Sequence, residues 1–140
     1  DGVLSSDPIN HAVMVKEREE KVQRVANYIP ELEVNGEQSG KLLVVGWGGT
    51  YGHLLSAVQE VREKGIDVSF AHFDYIMPLP KNTAEVFGKF EKILVCELNN
   101  GHFVNYLRGL MPQFKYEQFN KVQGQPFLVQ EIVGAIKEQL

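Results

Sequence analysis

The stretch that most constrains this chain is Val44-Val45-Gly46-Trp47-Gly48-Gly49-Thr50-Tyr51-Gly52, a hydrophobic run that ends in a glycine-rich turn ahead of an amphipathic segment. A strand that feeds a tight loop and then a helix is the opening unit of an α/β domain. Glycines in such a loop also let another surface approach the backbone closely. The loop invites a nucleotide-binding reading that its spacing does not meet. A dinucleotide fingerprint needs G-x-G-x-x-G with an acidic residue about 20 positions on. Here Gly46 and Gly48 fit, Tyr51 stands at the third glycine, Gly52 is one residue late, and Asp67 opens the next strand instead of closing it. A P-loop is excluded more firmly, because no Gly-Lys-Ser/Thr follows to hold phosphates and magnesium.

Beyond the loop the pattern repeats. Leu42 to Trp47, Val68 to Phe73 and Ile93 to Cys96 are short apolar runs separated by helical patterns, the signature of βαβ units and a parallel sheet. Leu54, Leu55, Val58 and Val61 share one face of the first intervening helix, which Gly65 ends. Asn82 with Glu85 three positions on has the form of a capping box. Asn100 is placed to cap a helix bearing Phe103, Tyr106, Leu107 and Leu110 up to Pro112. Tyr116 to Asn120 is polar enough for an outer strand, and Val129, Ile132, Val133, Ile136 and Leu140 mark a final amphipathic helix.

Ahead of this core, Asp7-Pro8 reads as a helix start and Pro30 as its stop, with Val15, Val22, Val25, Ala26 and Ile29 as an apolar stripe. Glu17 with Lys21 and Glu20 with Arg24 stand at pairing distance along it. Leu32 to Val34 reads as a short edge strand, and Asn35 to Gly40 as a polar connector. The expected division is a linker and charged helix over 1–30 and one α/β domain over 31–140.

A chain of 140 residues with 44% hydrophobic side chains buries one core. Fourteen basic against eighteen acidic residues give a net charge of -4, without the positive field a phosphate backbone requires, so nucleic acid is not an expected partner. No apolar run approaches the roughly 20 residues that span a bilayer. A single cysteine, Cys96, makes neither an internal disulfide nor an iron–sulfur cluster, and a cytoplasmic location is expected. The abrupt start at Asp1, without methionine, reads as a fragment of something longer.

Catalytic signals are sparse. His11, His53, His72 and His102 form no metal-binding pair at helical spacing, and His72, inside a strand, reads as a packed, hydrogen-bonded histidine. Cys96 reads as a small core residue, with a minor reactive alternative beside Glu97 and Asn99. Trp47 is either core or an interface anchor. Four loops, Gly46 to Gly49, Asp74 to Pro80, Glu97 to Gly101 and Asn120 to Pro126, each follow a strand and so gather at the carboxyl edge of a parallel sheet. Their amide-rich chemistry suits a protein interface better than a catalytic centre, since amides transfer protons poorly. The expected contact residues are Trp47, Gly48, Gly49, Asn99, Asn100, Gln123 and Gln125.

Four motifs in order, Val44 to Gly52, Pro78-Leu79-Pro80-Lys81-Asn82-Thr83, Glu97-Leu98-Asn99-Asn100-Gly101 and Asn120 to Phe127, resemble the C-terminal part of the alpha subunit of 2-oxoacid:ferredoxin oxidoreductases, most of all the 2-oxoglutarate enzymes. Asp7-Pro8-Ile9-Asn10-His11 resembles the segment that leads into that region, so the likeness spans nearly the whole chain. It implies a three-layer α/β/α fold like the transketolase C-terminal domain, with a mixed five-stranded sheet of order 1-3-2-4-5 whose first strand, Leu32 to Val34, is antiparallel. It also implies a parent complex that decarboxylates a 2-oxoacid on thiamine diphosphate and magnesium, passes the acyl group to coenzyme A, and sends electrons through iron–sulfur clusters to ferredoxin. This chain carries no Gly-Asp-Gly with its following magnesium-holding asparagine and no cysteine cluster. No catalytic, cofactor-binding or metal-binding residue is therefore assigned to it, and its expected partners are the other domains of the alpha subunit and the other subunits. A free-standing nucleotide- or anion-binding regulatory domain that uses the Gly46 to Gly52 loop is the competing reading.

Overall fold

Strict alternation along the strands sorts the core into two halves, one on each face of a central sheet. The computed structural model describes residues 8–122 and 124–140. Helix α1 (Pro8–Ala26) precedes strand β1 (Gly40–Trp47), a 3-10 turn (Gly48–Thr50) and helix α2 (Tyr51–Glu63). Then follow β2 (Ser69–Phe73), α3 (Thr83–Phe87), β3 (Phe90–Glu97), α4 (His102–Leu110), β4 (Tyr116–Asn120) and α5 (Val129–Glu138). The sheet runs β2-β1-β3-β4 with every pair parallel. Leu42, Val44, Phe70, Leu94 and Cys96 face α2 and α5, while Leu43, Val45, Ala71, Phe73, Ile93 and Val95 face the layer of α3 and α4. Each fully buried Leu, Val or Phe here contributes about 1.5 to 3 kcal/mol by leaving water, and both strand faces are used because helices cover both sides.

The apolar runs therefore lie where their spacing predicts, and Gly65, with φ of 82°, closes the turn after α2. The N-terminal helix differs in its surroundings. It ends at Ala26, which alone among its described side chains is buried, while Val15, Val22 and Val25 are exposed. The expected Glu17–Lys21 and Glu20–Arg24 pairs do not form. Arg24 instead donates to the Glu20 carbonyl at 3.3 Å, as solvated side chains on an open helix are free to do. Asp7, the expected cap, lies outside the described residues. Among those residues no helix is long and apolar enough to cross a membrane.

The five-stranded mixed sheet is a correction. The sheet has four strands, all parallel, and Leu32 to Val34 forms no antiparallel strand. Just beyond the segment, Asn35 and Phe70 form one antiparallel bridge, exchanging bonds of 2.7 and 3.0 Å. The cause is competition for backbone groups. The Asn82 side chain accepts from the Leu32 N–H at 2.7 Å and donates to the Leu32 carbonyl at 3.0 Å, standing in for a neighbouring strand. Arg62 then fixes the turn, donating to Val68 O at 2.8 Å, to Asn35 Oδ1 at 2.6 Å and to the Asn35 carbonyl, and Gly36, with φ of 109°, bends the chain away. Asn82 is accordingly not the capping box expected of it: its side chain makes no cap bond to α3.

Candidate interface at the carboxyl edge of the sheet

The first strand in sequence sits in the middle of the sheet, with β2 on one side and β3 on the other, so the winding reverses between β1 and β3. α/β domains place ligands in the crevice outside such a reversal. Here that crevice is filled from within. Trp47 ends β1, its indole Nε1 donates to Glu97 Oε1 at 3.1 Å, and its ring packs at 6.0 Å from the ring of Phe103 on α4. Glu97, the last residue of β3, is 1% exposed. It also accepts from the Phe103 N–H at 2.7 Å and the Val104 N–H at 3.0 Å.

A carboxylate at a helix N-terminus is doubly favoured, by the free N–H groups and by the positive end of the helix dipole. Asn99 completes the arrangement, its Oδ1 accepting from Gly101 N at 2.8 Å and His102 N at 2.9 Å. The N–H groups of residues 101 to 104 are thus all taken by side chains of the same loop, and α4 offers none of them to an external anion. Asn100, expected to cap this helix, is exposed instead, and Asn99 with Glu97 does that work. Gly101 holds φ of 95°, where a Cβ would lie 2.8 Å from Gln118 Oε1. The residue at the turn is consequently glycine.

The glycine loop divides by role. Gly46 is a packing residue: a Cβ there would stand 2.1 Å from Leu54 Cδ1, so its glycine serves the approach of α2 to β1. Gly48, with φ of 66°, and Gly49 are exposed, and a Cβ on either would meet nothing within 4 Å. Thr50 Oγ1 donates to the Trp47 carbonyl at 3.0 Å and His72 Nε2 lies 3.0 Å from the Gly48 carbonyl, which fixes the open loop from below.

Asn99, Asn100 and Gln125, also expected as contact residues, fall at the same edge because the strands are parallel. Asn99 is half-buried and committed to the α4 cap, Asn100 and Gln125 are exposed, and Gln123 lies outside the described residues. The β4 end is tied in by Lys121 N to the Glu97 carbonyl at 2.9 Å and by the Lys121–Glu131 ion pair at 2.7 Å. Asn120 Oδ1 is buried there without a protein partner. Cys96 is fully buried, and burial first, then the Glu97 charge, pushes its thiol up to about 12. That environment removes the reactive alternative, since the thiolate is the nucleophile. His72 is packed and hydrogen-bonded as its strand position implies, with Asp74 3.5 Å from Nδ1.

The residues that the sequence did not single out are Glu97 as a cap and Asn82 as a clamp. A glutamate ending an apolar strand five residues ahead of a helix was the available signal for the first. Nothing local marks the second, whose partner lies 50 residues away.

No family model matches the chain. Among curated proteins it is 35% identical, over 99% of its length, to the 2-oxoglutarate oxidoreductase subunit KorA of Mycobacterium tuberculosis, of which it covers 21%. It is 27% identical, over 96% of its length, to the alpha subunit of 2-oxoacid:ferredoxin oxidoreductase 1 of Aeropyrum pernix, of which it covers 22%. Among solved structures, the 2-oxoglutarate:ferredoxin oxidoreductase of Magnetococcus marinus, with 2-oxoglutarate, coenzyme A and succinyl-CoA bound, matches 99% of this chain and 24% of its own. The TM-score is 0.83 at 27% identity. A split-gene transketolase, an inactive beta4 tetramer, shares the fold over 77% of this chain, with a TM-score of 0.59 at 12% identity. The chain spans about a fifth of the length of the curated relatives it matches. It is homologous over its whole length to alpha subunits of the 2-oxoacid:ferredoxin oxidoreductases, and the match is to a C-terminal domain of that subunit.

Proposed function

We propose that this chain is the C-terminal assembly domain of the alpha subunit of a cytoplasmic, thiamine-diphosphate-dependent 2-oxoacid:ferredoxin oxidoreductase, with 2-oxoglutarate as the oxoacid. That enzyme would decarboxylate the oxoacid oxidatively to its acyl-CoA and reduce ferredoxin. The domain itself, over 31–140, would carry no catalytic residue and would hold the other domains and subunits through the loops around Trp47, Gly48, Gly49, Asn99, Asn100, Gln123 and Gln125. The observation that carries this reading is the filled crevice: the place where an α/β domain binds a phosphate-bearing cofactor is closed by Trp47, Glu97 and Asn99, while Gly48, Gly49, Asn100 and Gln125 remain exposed around it. No residue of this chain is assigned to thiamine diphosphate, magnesium or coenzyme A in this reading. Cys96 is the single thiol and is buried, so this chain supplies no set of cysteines for a cluster.

The test uses two measurements. Calorimetric titration of the chain with thiamine diphosphate and magnesium is expected to give no binding; micromolar affinity would overturn the assignment. In the complete enzyme, Asn100→Ala with Gln125→Ala is expected to weaken assembly without lowering the domain's own stability, since both side chains are exposed. Intact, cofactor-loaded complex that had lost its chemistry would show that these loops face substrate instead.

A further inference from the structure

β2 is an outer strand, and its free edge is covered over a single residue, where Asn35 bridges Phe70. Outward-facing N–H and C=O groups recur at every second residue of a strand, so His72 presents its backbone pair to the same side as Phe70. In an antiparallel ladder continued from that bridge, Glu33 would stand opposite His72. No backbone bond joins them, because the Leu32 backbone is held by the Asn82 side chain. Between the bowed segment and the end of β2 lies a cleft of about 710 Å³, within the range of about 300 to 1,000 Å³ that ligand sites occupy. Its walls carry the carboxylates of Glu31, Glu33 and Asp74, the half-exposed rings of Tyr51 and Tyr75, and no lysine or arginine.

We propose that this cleft receives a short extended segment of a partner protein bearing lysine or arginine, which adds to the β2 edge at His72. An open edge supplies main-chain bonds without sequence preference, and the side-chain environment supplies the selection. Three carboxylates, one of which, Asp74, lies 3.5 Å from His72, attract a cationic side chain and repel phosphate or nucleic acid. The Tyr51 and Tyr75 rings add faces on which an ammonium or guanidinium group rests. The cleft shares Gly48 with the proposed assembly surface, but its carboxylates lie on the far side of β1 from the Glu97 to Gly101 loop, and the peptide test on the isolated chain reads them apart from assembly.

The probe is a capped hexapeptide of alternating valine and lysine, titrated against the chain while amide exchange and chemical shifts are followed by nuclear magnetic resonance. The expected result is saturable binding that slows exchange of the His72 amide by about tenfold or more and weakens several-fold when salt is raised from about 0.05 to 0.3 M. The glutamate counterpart, a proline-interrupted version and free lysine amide are expected not to bind. Glu31→Gln with Glu33→Gln and Asp74→Asn should remove the binding. Asp74, with its side chain 82% exposed, is also changed singly as a variant that leaves the fold intact, and that change should weaken it. Failure of the valine-lysine peptide to bind overturns the proposal. So does binding that leaves the His72 amide unprotected, binding shared by the proline-interrupted peptide or by lysine amide, or affinity unchanged in the Asp74 variant.

Discussion

Removing the Glu97 side chain should be among the most damaging single changes in this domain. Glu97→Ala takes the acceptor from three donors at once: the Phe103 and Val104 N–H groups, both buried, and the half-buried Trp47 indole N–H. An unsatisfied buried donor costs about 1 to 3 kcal/mol, and loss of a helix cap by itself costs about 0.5 to 2 kcal/mol. These overlap, because the two N–H groups are the capped ones. Two fully buried donors and one partly buried one give an expected loss of about 3 to 5 kcal/mol, a large share of the roughly 5 to 15 kcal/mol that holds a domain folded. Glu97→Gln keeps one oxygen but turns an amide donor toward another donor, and should cost about 1.5 to 3 kcal/mol. Trp47→Phe keeps the ring against Phe103 and removes one donor, for about 1 kcal/mol. Urea unfolding of the chain followed by circular dichroism measures all three, with unchanged slopes if the unfolded state is unaffected. In the Glu97→Gln background Trp47→Phe should cost less than in the wild type, by about 0.5 kcal/mol or more. The reasoning fails if Glu97→Ala loses under about 1 kcal/mol, which would mean that solvent caps α4 equally well, or if the two changes simply add.

Gly46→Ala should destabilise the chain by about 1 to 3 kcal/mol through overpacking against Leu54, whereas Gly49→Ala, which meets nothing within 4 Å, should be close to neutral; equal losses in urea unfolding would refute the division of the loop. Cys96 should resist thiol reagents at pH 8 in the folded chain and react at once in urea. Burial holds its folded pKa at about 12, above the ordinary thiol value of 9.0, so its contribution to stability is complete below about pH 9 and lost as pH rises toward 12. Tyr116, raised from 10.0 to about 12 by burial against the opposing effect of Arg108, acts in the same direction. Stability that holds constant between pH 9 and 12, or rapid labelling of Cys96 in the folded state, would contradict this.

What was legible in the sequence was whatever depends on periodicity. Leu43, Val45, Leu94 and Cys96 announce strands because alternation and apolar runs survive any tertiary arrangement, and the polar stretch Tyr116 to Asn120 coincides with β4. The stripe on α2 and the glycine at its end were equally local. Polar partnerships were not. Asn99 and Asn100 stand side by side with the same chemistry, and only the path of the loop decides that Asn99 turns its oxygen toward α4. Leu32 to Val34 has strand composition, yet a side chain 50 positions away supplied its hydrogen bonds. The Trp47–Glu97 contact spans the same separation, so each residue could be noted while their pairing could not. At the site, the carboxyl edge and its loops followed from strand direction, whereas the crevice between them was filled by bonds that no spacing encodes.

The central place of β1 has a consequence for how such a chain is made. Within this domain β1 is the first strand of the sheet to be synthesised, and β2, some twenty residues on, covers one of its edges. The other edge stays open until β3 emerges at Phe90 to Glu97. At synthesis rates of about 5 to 20 residues per second, that leaves roughly 2 to 10 seconds in which the Leu42 to Val45 edge is an unpaired template beside an incomplete core. Rapid elongation shortens that interval and slow elongation lengthens it. A cluster of slow codons across the α2 to β3 segment should lower its soluble yield more than the same cluster placed after β4.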